Sequence, residues 1–274
     1  INMTRITEES SKYRHLDKMS VEELTLNLNK EDKTVALAIE RALPELNTLI
    51  STIVSKIEHG GRLFYVGAGS GGRLSVLDVI ELPTTFGVSP ELFNVILAGG
   101  KEHLIEALEE KEDDIKAAWQ MLQKEKVSVK DIVIGISASG TTPFVLSGLK
   151  ECKKQGITTA CIVSNPGSPI AEQADIPVEV ITGPEFVTGS TRMKCGSAQK
   201  MIFDMISTTT MIKLGRVLDN QMVNVKLIND KIVDRAVKML MKNTGITVYN
   251  EAKQLLIEQG SVRQALDHFN QTGK

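Results

Sequence analysis

Two loops and one carboxylate carry the residue types from which chemistry could be built. The first loop, Gly67-Ala68-Gly69-Ser70-Gly71-Gly72-Arg73, follows the apolar run Leu63-Phe64-Tyr65-Val66 and leads into Leu74-Ser75-Val76-Leu77-Asp78-Val79-Ile80-Glu81. The order reads as strand, glycine loop, helix. Glycines without Cβ atoms let a ligand approach the backbone, and a helix starting there aims free N–H groups at an anion. Gly67, Gly69 and Gly72 also match G-x-G-x-x-G, so a dinucleotide site has to be weighed. Such a site needs an acid about 20 residues on, at the end of the second strand, to hold the ribose. That strand ends in Ala98-Gly99-Gly100, and Glu102 comes too late. The glycine loop therefore reads as a phosphate loop of another kind.

The second loop is Ser137-Ala138-Ser139-Gly140-Thr141-Thr142-Pro143. Its hydroxyls and backbone N–H groups are suited to phosphate, and Pro143 suits a first helical position with Thr142 as the N-cap. There is no G-x-x-x-x-G-K-[ST], which argues against nucleotide triphosphate chemistry. The carboxylate is Glu81, among Val79, Ile80 and Leu82 at the expected carboxyl end of the helix begun by the glycine loop. Desolvation and the helix dipole would both raise its pKa, as a general acid/base requires. A second carboxylate is open among Glu109, Glu110, Glu112, Asp113 and Asp114, and residue chemistry alone does not choose between them.

The elements that must position these groups follow from the apolar pattern. Runs at 63–66, 93–98, 132–136, 159–163 and 176–181 predict five strands, with helices expected over 102–124 and 144–155. Repeated β-α units imply a mostly parallel sheet with helices on both faces, and a ligand cleft beyond the strands' carboxyl ends. Residues 1–18 are polar and aperiodic, an arm that would be ordered only against something else. Ser20-Val21-Glu22-Glu23 is a capping box opening a short helix to about Leu28. An apolar stripe over 35–57 passes Pro44, as one bent helix or two in series, and must pack on a sheet or a second subunit. Small and hydroxyl residues of 183–200, among them Ser190, surround Arg192, Lys194 and Lys200, and a long helix follows to about Leu214. Three short amphipathic segments over 228–269, broken at Gly245 and Gly260, read as a helical module.

Composition sets outer limits. The 32 Lys and Arg against 34 Asp and Glu give no sign of a nucleic-acid partner. Cys152, Cys161 and Cys195 lack disulfide-framework spacing, and the four histidines lack metal-ligand spacing. With no membrane-length apolar run and no signal-like amino terminus, the expectation is a cytoplasmic protein without membrane association or metal site.

Residues 183–200 resemble a long signature shared by N-acetylmuramic acid 6-phosphate etherases and the glucokinase regulatory protein: Gly-Pro-Glu, then Gly-Ser-(Ser or Thr)-Arg-(Met or Leu)-Lys, then Gly-(Ser or Thr)-Ala-x-Lys. The likeness extends to Leu16-Asp17-Lys18-Met19-Ser20, both loops, Thr85-Phe86-Gly87, Ala98-Gly99-Gly100 and Ser164-Asn165-Pro166, nearly the whole chain, and is nearest the etherase branch. It implies a three-layer α/β/α sugar isomerase (SIS) fold on a five-stranded parallel sheet. A small ubiquitin-associated-like helical module would follow. The corresponding divisions are 1–55 (arm and helices), 56–219 (phosphosugar-binding domain) and 220–274 (helical module).

The implied reaction cleaves the D-lactyl ether of N-acetylmuramic acid 6-phosphate by elimination and hydration, without metal or redox cofactor. The resemblance puts the acid/base glutamates at Glu81 and Glu112. It puts phosphosugar contacts at Gly69, Ser70, Gly71, Ser137, Ser139, Gly140, Thr141, Thr142, Ser190, Arg192 and Lys194, and it implies a homodimer. The sequence departs from the family at Ile80, where serine is usual, at Ser70-Gly71, where Thr-Ser is usual, at Lys111 beside Glu112, where a small residue is usual, and at Cys195, where alanine or glycine is common. A non-catalytic phosphosugar sensor is disfavoured by the presence of Glu81 and by chain length, and an aldose-ketose isomerase by the signature.

Overall fold

The structure is a computed structural model that describes residues 5–105 and 109–272. Residues 1–4 of the expected arm and 106–108 of the expected 102–124 helix lie outside the described residues. The elements are α1 (Val21–Arg41), α2 (Leu43–Glu58), β1 (Leu63–Gly67), α3 (Gly69–Phe86), β2 (Phe93–Leu97), α4 (Ala117–Lys124), β3 (Ile132–Ser137), α5 (Pro143–Lys154), β4 (Thr158–Val163), α6 (Pro169–Gln173), β5 (Ile176–Glu179), α7 (Lys194–Lys213), β6 (Val217–Leu218), β7 (Gln221–Met222), α8 (Asp230–Thr244), α9 (Tyr249–Gln259) and α10 (Val262–Thr272).

Strands β1 to β5 form one parallel sheet in the order β2-β1-β3-β4-β5. β1, β2 and β3 are buried along their whole length, which explains why they read as continuous apolar runs rather than alternating ones. Phe64 and Val66 join Val133, Phe144, Leu149, Ala118 and Leu122 in one core. Tyr65 points to the opposite face, as strand alternation requires, with its ring 5.1 Å from that of Phe203 on α7. The strand order reverses between β1 and β3, so the loops leaving these two strands are neighbours at one end of the sheet, where doubly wound sheets bind ligands. At the opposite end the buried Asp131 carboxylate accepts hydrogen bonds from the Arg62 amide (2.8 Å) and the Ser128 amide (2.8 Å), fixing the starts of β1 and β3.

Several expectations change in detail. The capping box forms, with both Ser20 and Glu23 bonds present, but α1 runs unbroken to Arg41 instead of ending near Leu28. The apolar stripe is two helices in series, with Pro44 in the first turn of α2, where its missing N–H is not needed. Its residues Val35, Ile39, Leu46, Leu49 and Ile53 are buried within the chain itself. The stripe is therefore no evidence for a second subunit. The segment 102–124 is not one helix: it holds short 3-10 turns at Lys101–His103 and Glu109–Asp113 before α4. α6, capped by Ser168 and opened by Pro169, was not expected.

The chain divides into two compact units. One holds the residues up to Val79 with Glu91–Thr210, and the other Ile80–Pro90 with the residues from Met211 onward. In the second, α8, α9 and α10 share a core of Val237, Leu240, Ala252, Leu256, Val262 and Leu266. Gly245 and Gly260 end α8 and α9 in the left-handed conformation. The β6–β7 hairpin, turning at Asp219 with φ 54°, had no periodic signal in two-residue strands.

Candidate functional site

The loop after β3 is a closed cluster of hydroxyls. Ser137 Oγ pairs with Thr142 Oγ1 at 2.8 Å and with Ser139 Oγ at 3.2 Å, and it accepts the Gly140 amide at 3.0 Å. Thr141 donates to Ser139 Oγ from both its amide (3.2 Å) and its hydroxyl (3.1 Å). Thr142 stands at the N-cap position of α5, yet its hydroxyl caps nothing. The expected capping bond is replaced by the Ser137 contact, so among the described residues no side chain caps the first turn of α5. Gly140 is obligatory: its φ is 72°, and a Cβ there would lie 2.3 Å from Ser168 Cβ and Oγ.

From below, the loop is held by Asn165, fully buried at the end of β4. Its Nδ2 donates to the carbonyls of Ser139 (3.1 Å) and Ala138 (3.3 Å) and to Thr7 Oγ1 (2.9 Å), while its Oδ1 accepts the Thr7 amide (3.1 Å). The described part of the polar arm is thus held at Thr7 and Ser11 against this unit. Ser11 Oγ donates to the Phe186 carbonyl at 2.7 Å, and the Ser11 amide donates to Thr188 Oγ1 at 2.9 Å.

The glycine loop lies beside this cluster, since Gly67 pairs in register with Ile136. Gly69 has φ 51°, and a Cβ built on it would come within 2.9 Å of Glu112 Oε1. The Glu112 carboxylate therefore stands against the mouth of the loop, and Ser70 is exposed there. Of the other acids weighed, Glu110, Asp113 and Asp114 are exposed, Asp114 capping the start of α4 through the amides of Lys116 and Ala117. The Glu109 side chain lies outside what is described. Gly71 is buried, and a Cβ there would meet Gln199 Oε1 and Ile136 Cγ2 at 2.9 Å, so close packing requires glycine at this position of the loop.

The 183–200 segment is largely a scaffold. Glu185, whose role the sequence did not disclose, is buried and accepts the amides of Lys194 and Cys195, each at 2.9 Å, neutralising the N-terminus of α7. Lys194, expected on the substrate, is instead 1% exposed with Nζ 2.6 Å from Glu31 Oε2. Burial pushes the Glu31 carboxyl up, but the Lys194 bond and charge outweigh it, leaving the pKa below the usual value. Tyr13 donates to Glu31 at 3.2 Å. Burial pushes the Cys195 thiol up to about 11, so it is an inert packing group. Ser190 is half-buried and Arg192 exposed.

Glu81 belongs to the second unit. α3 does not stop at Glu81 but continues through Pro83 to Phe86, and the Glu81 carbonyl accepts the Thr84 hydroxyl at 3.0 Å. The burial expected around it is absent: Glu81 is exposed and Ile80 is 57% exposed. Among the described residues no helix is long and apolar enough to cross a membrane.

The comparisons with known proteins agree with this architecture. A family model described as the glucokinase regulatory protein N-terminal SIS domain matches residues 45–153, and the SIS domain model matches 114–208. An N-acetylmuramic acid 6-phosphate etherase of Christiangramia forsetii is 50% identical over 97% of both chains. The chain belongs to the N-acetylmuramic acid 6-phosphate etherase family. Other members include an etherase of Bacteroides fragilis, 48% identical over 97% of this chain and 94% of its own. One from a Geobacillus strain is 42% identical over 96% and 90%. Solved phosphoheptose isomerases share the family's fold at low identity. That of Francisella tularensis aligns with a TM-score of 0.55 at 17% identity, covering 71% of this chain and all of its own, and that of Neisseria gonorrhoeae with 0.52 at 13%, covering 69% and 97%.

Proposed function

We propose that the chain cleaves the D-lactyl ether of N-acetylmuramic acid 6-phosphate, giving N-acetylglucosamine 6-phosphate and D-lactate, in recycling or catabolism of cell-wall amino sugars. Its membership of the etherase family supports the reaction. The observation that carries the assignment of chemistry to residues is the Glu112 carboxylate standing against Gly69, beside the hydroxyl cluster of Ser137, Ser139, Thr141 and Thr142.

The phosphate is held by these hydroxyls, by Ser70 and the backbone at Gly69 and Gly140, and by the amino-terminal ends of α3 and α5, whose dipoles favour an anion. Arg192, exposed in the same segment as Ser190, supplies a guanidinium that can follow the sugar's anionic end. In the open-chain aldehyde the proton at C2 is acidified by the adjacent carbonyl. Glu81 takes it, and the electron pair moves into C1–C2. Loss of the C3–O bond releases D-lactate, protonated by Glu112 as general acid, and forms the unsaturated aldehyde. Water then adds at C3, giving one proton to Glu112, while protonated Glu81, its proton exchanged with solvent, delivers a proton to C2, and both carboxyl groups return to their starting forms. Both steps need carboxyl groups poised between acid and base forms.

The protein is assigned to the cytoplasm, where its three buried free thiols are chemically at home. It is assigned as a homodimer on the resemblance, since the α1–α2 stripe is spent inside the chain. A monomeric sedimentation profile at micromolar concentration would refute the dimer. Incubation with N-acetylmuramic acid 6-phosphate should release D-lactate and N-acetylglucosamine 6-phosphate in equal amounts. No lactate, with phosphosugar binding retained, would leave a sensor in place of an enzyme.

A further inference from the structure

We infer that Asn165 and Thr7 form a positioning pair through which the amino-terminal arm sets the phosphate cradle; the inference rests on the phosphosugar assignment of that cradle. Both residues are fully buried. Asn165 uses its amide in two directions: toward Thr7, where it makes a reciprocal pair of bonds, and toward the carbonyls of Ala138 and Ser139. The Ala138 carbonyl also accepts the Ser164 amide at 3.1 Å.

These contacts fix which way the cradle's peptide groups face. In a trans peptide the C=O and the next N–H point in opposite directions. With the Ala138 carbonyl drawn down onto Asn165 and Ser164, the Ser139 amide is turned to the other side of the loop. With the Ser139 carbonyl drawn down as well, the Gly140 amide meets Ser137 Oγ, which in turn holds Thr142 Oγ1. The cluster's hydroxyls are thus linked, directly at Ser139 and through hydrogen bonds at Ser137, Thr141 and Thr142, to two peptides that Asn165 holds. An Asn carboxamide has only two N–H donors for its three acceptors, so the Thr7 bonds also fix its rotation. Loss of the Thr7 hydroxyl leaves the Thr7 amide on Asn165 Oδ1 but removes the bond that holds Asn165 Nδ2, loosening its grip on the cradle from a residue that is itself fully buried.

Linkage makes the coupling reciprocal: if a docked arm favours phosphosugar binding, the bound phosphosugar must favour the docked arm by the same factor. The Thr7 amide, bonded to Asn165 Oδ1, is the natural reporter.

The test uses the full chain with N-acetylglucosamine 6-phosphate as the probe, so it does not depend on turnover. Thr7→Val keeps the shape and removes the hydroxyl; Asn165→Ala removes the whole pair and risks the fold, so Thr7→Val is the decisive variant. Calorimetry should show the dissociation constant raised roughly fivefold by Thr7→Val and tenfold or more by Asn165→Ala. The double variant should be no weaker than Asn165→Ala alone. With the etherase substrate, Thr7→Val should raise KM by the same factor while kcat at saturation changes less than twofold. Hydrogen exchange at the Thr7 amide should slow severalfold on adding the probe to the wild-type chain. Wild-type affinity in Thr7→Val, or Thr7 exchange indifferent to the probe, overturns the inference and leaves the phosphosugar assignment intact. Failure of the wild-type chain to bind the probe overturns both.

Discussion

Asp78 offers a test of how α3 is packed. It lies on α3 with 6% exposure; Ser207 on α7 donates to its Oδ1 at 2.9 Å, and its Oδ2 has no hydrogen-bond partner among the described residues. Burial lifts its pKa from 3.8 to about 6, with the Ser207 bond opposing. The interval from 3.8 to about 6 spans about 2.2 pH units, worth about 3 kcal/mol at 1.36 kcal/mol per unit. The sign follows from proton counts. Between these two pH values the folded chain holds more protons on Asp78 than the unfolded one, so stability falls as pH rises through the window and the full cost is reached above about pH 6. Asp78→Asn removes the charge while keeping an acceptor for Ser207. Its stability relative to wild type should therefore improve by up to about 3 kcal/mol between pH 4 and pH 7.5. Urea unfolding followed by Trp119, the chain's one tryptophan, reads the unit that contains Asp78. A difference between variant and wild type that is the same at both pH values, within about 0.5 kcal/mol, would refute the burial of a strained carboxylate there.

Three further outcomes follow from the same geometry. Gly140→Ala should lose roughly 1–2 kcal/mol from its left-handed backbone alone, more from the Ser168 clash, and bind phosphosugar at least tenfold more weakly; a calorimetric titration and a thermal melt read both. Lys194→Met leaves the Glu31 carboxylate with the Tyr13 hydroxyl and a Lys12 ammonium 3.9 Å away and should cost up to about 3–5 kcal/mol in urea unfolding, with Glu31→Gln in the same chain recovering part of it, whereas an additive double loss would deny the pair. Glu81→Gln and Glu112→Gln should each lower kcat by roughly 10²-fold or more while leaving binding of N-acetylglucosamine 6-phosphate within a few-fold; a fully active variant would remove that residue from the mechanism.

What the sequence disclosed, and what it hid, divides along physical lines. The five strands were legible because a parallel sheet buried on both faces writes itself as short apolar runs. The two loops were legible because glycine and hydroxyl residues between a strand and a helix have few other uses. The extent of α1 was hidden by the polar stretch after Leu28, which helix continuity carries across without an apolar signal. Lys194 looked like a ligand group because a lysine among serines and glycines suggests an anion. Its partner Glu31 lies 163 residues away, and no local pattern announces such a pair. Glu185 and Asn165 were in view as motif members, but their roles as helix cap and loop clamp exist only once distant backbone groups are brought to them. By residue chemistry alone Glu112 was one of five acids over 109–114; only the family resemblance singled it out, and Gly69 stands beside it in the structure.

The central claim is that an elimination, begun by removal of the C2 proton, breaks the lactyl ether. Turnover of N-acetylmuramic acid 6-phosphate in deuterium oxide, followed by mass spectrometry of both products, tests it most directly. Elimination and rehydration place one non-exchangeable deuterium at C2 of the N-acetylglucosamine 6-phosphate and none on carbon in the D-lactate. Sugar product with protium retained at C2 would contradict it.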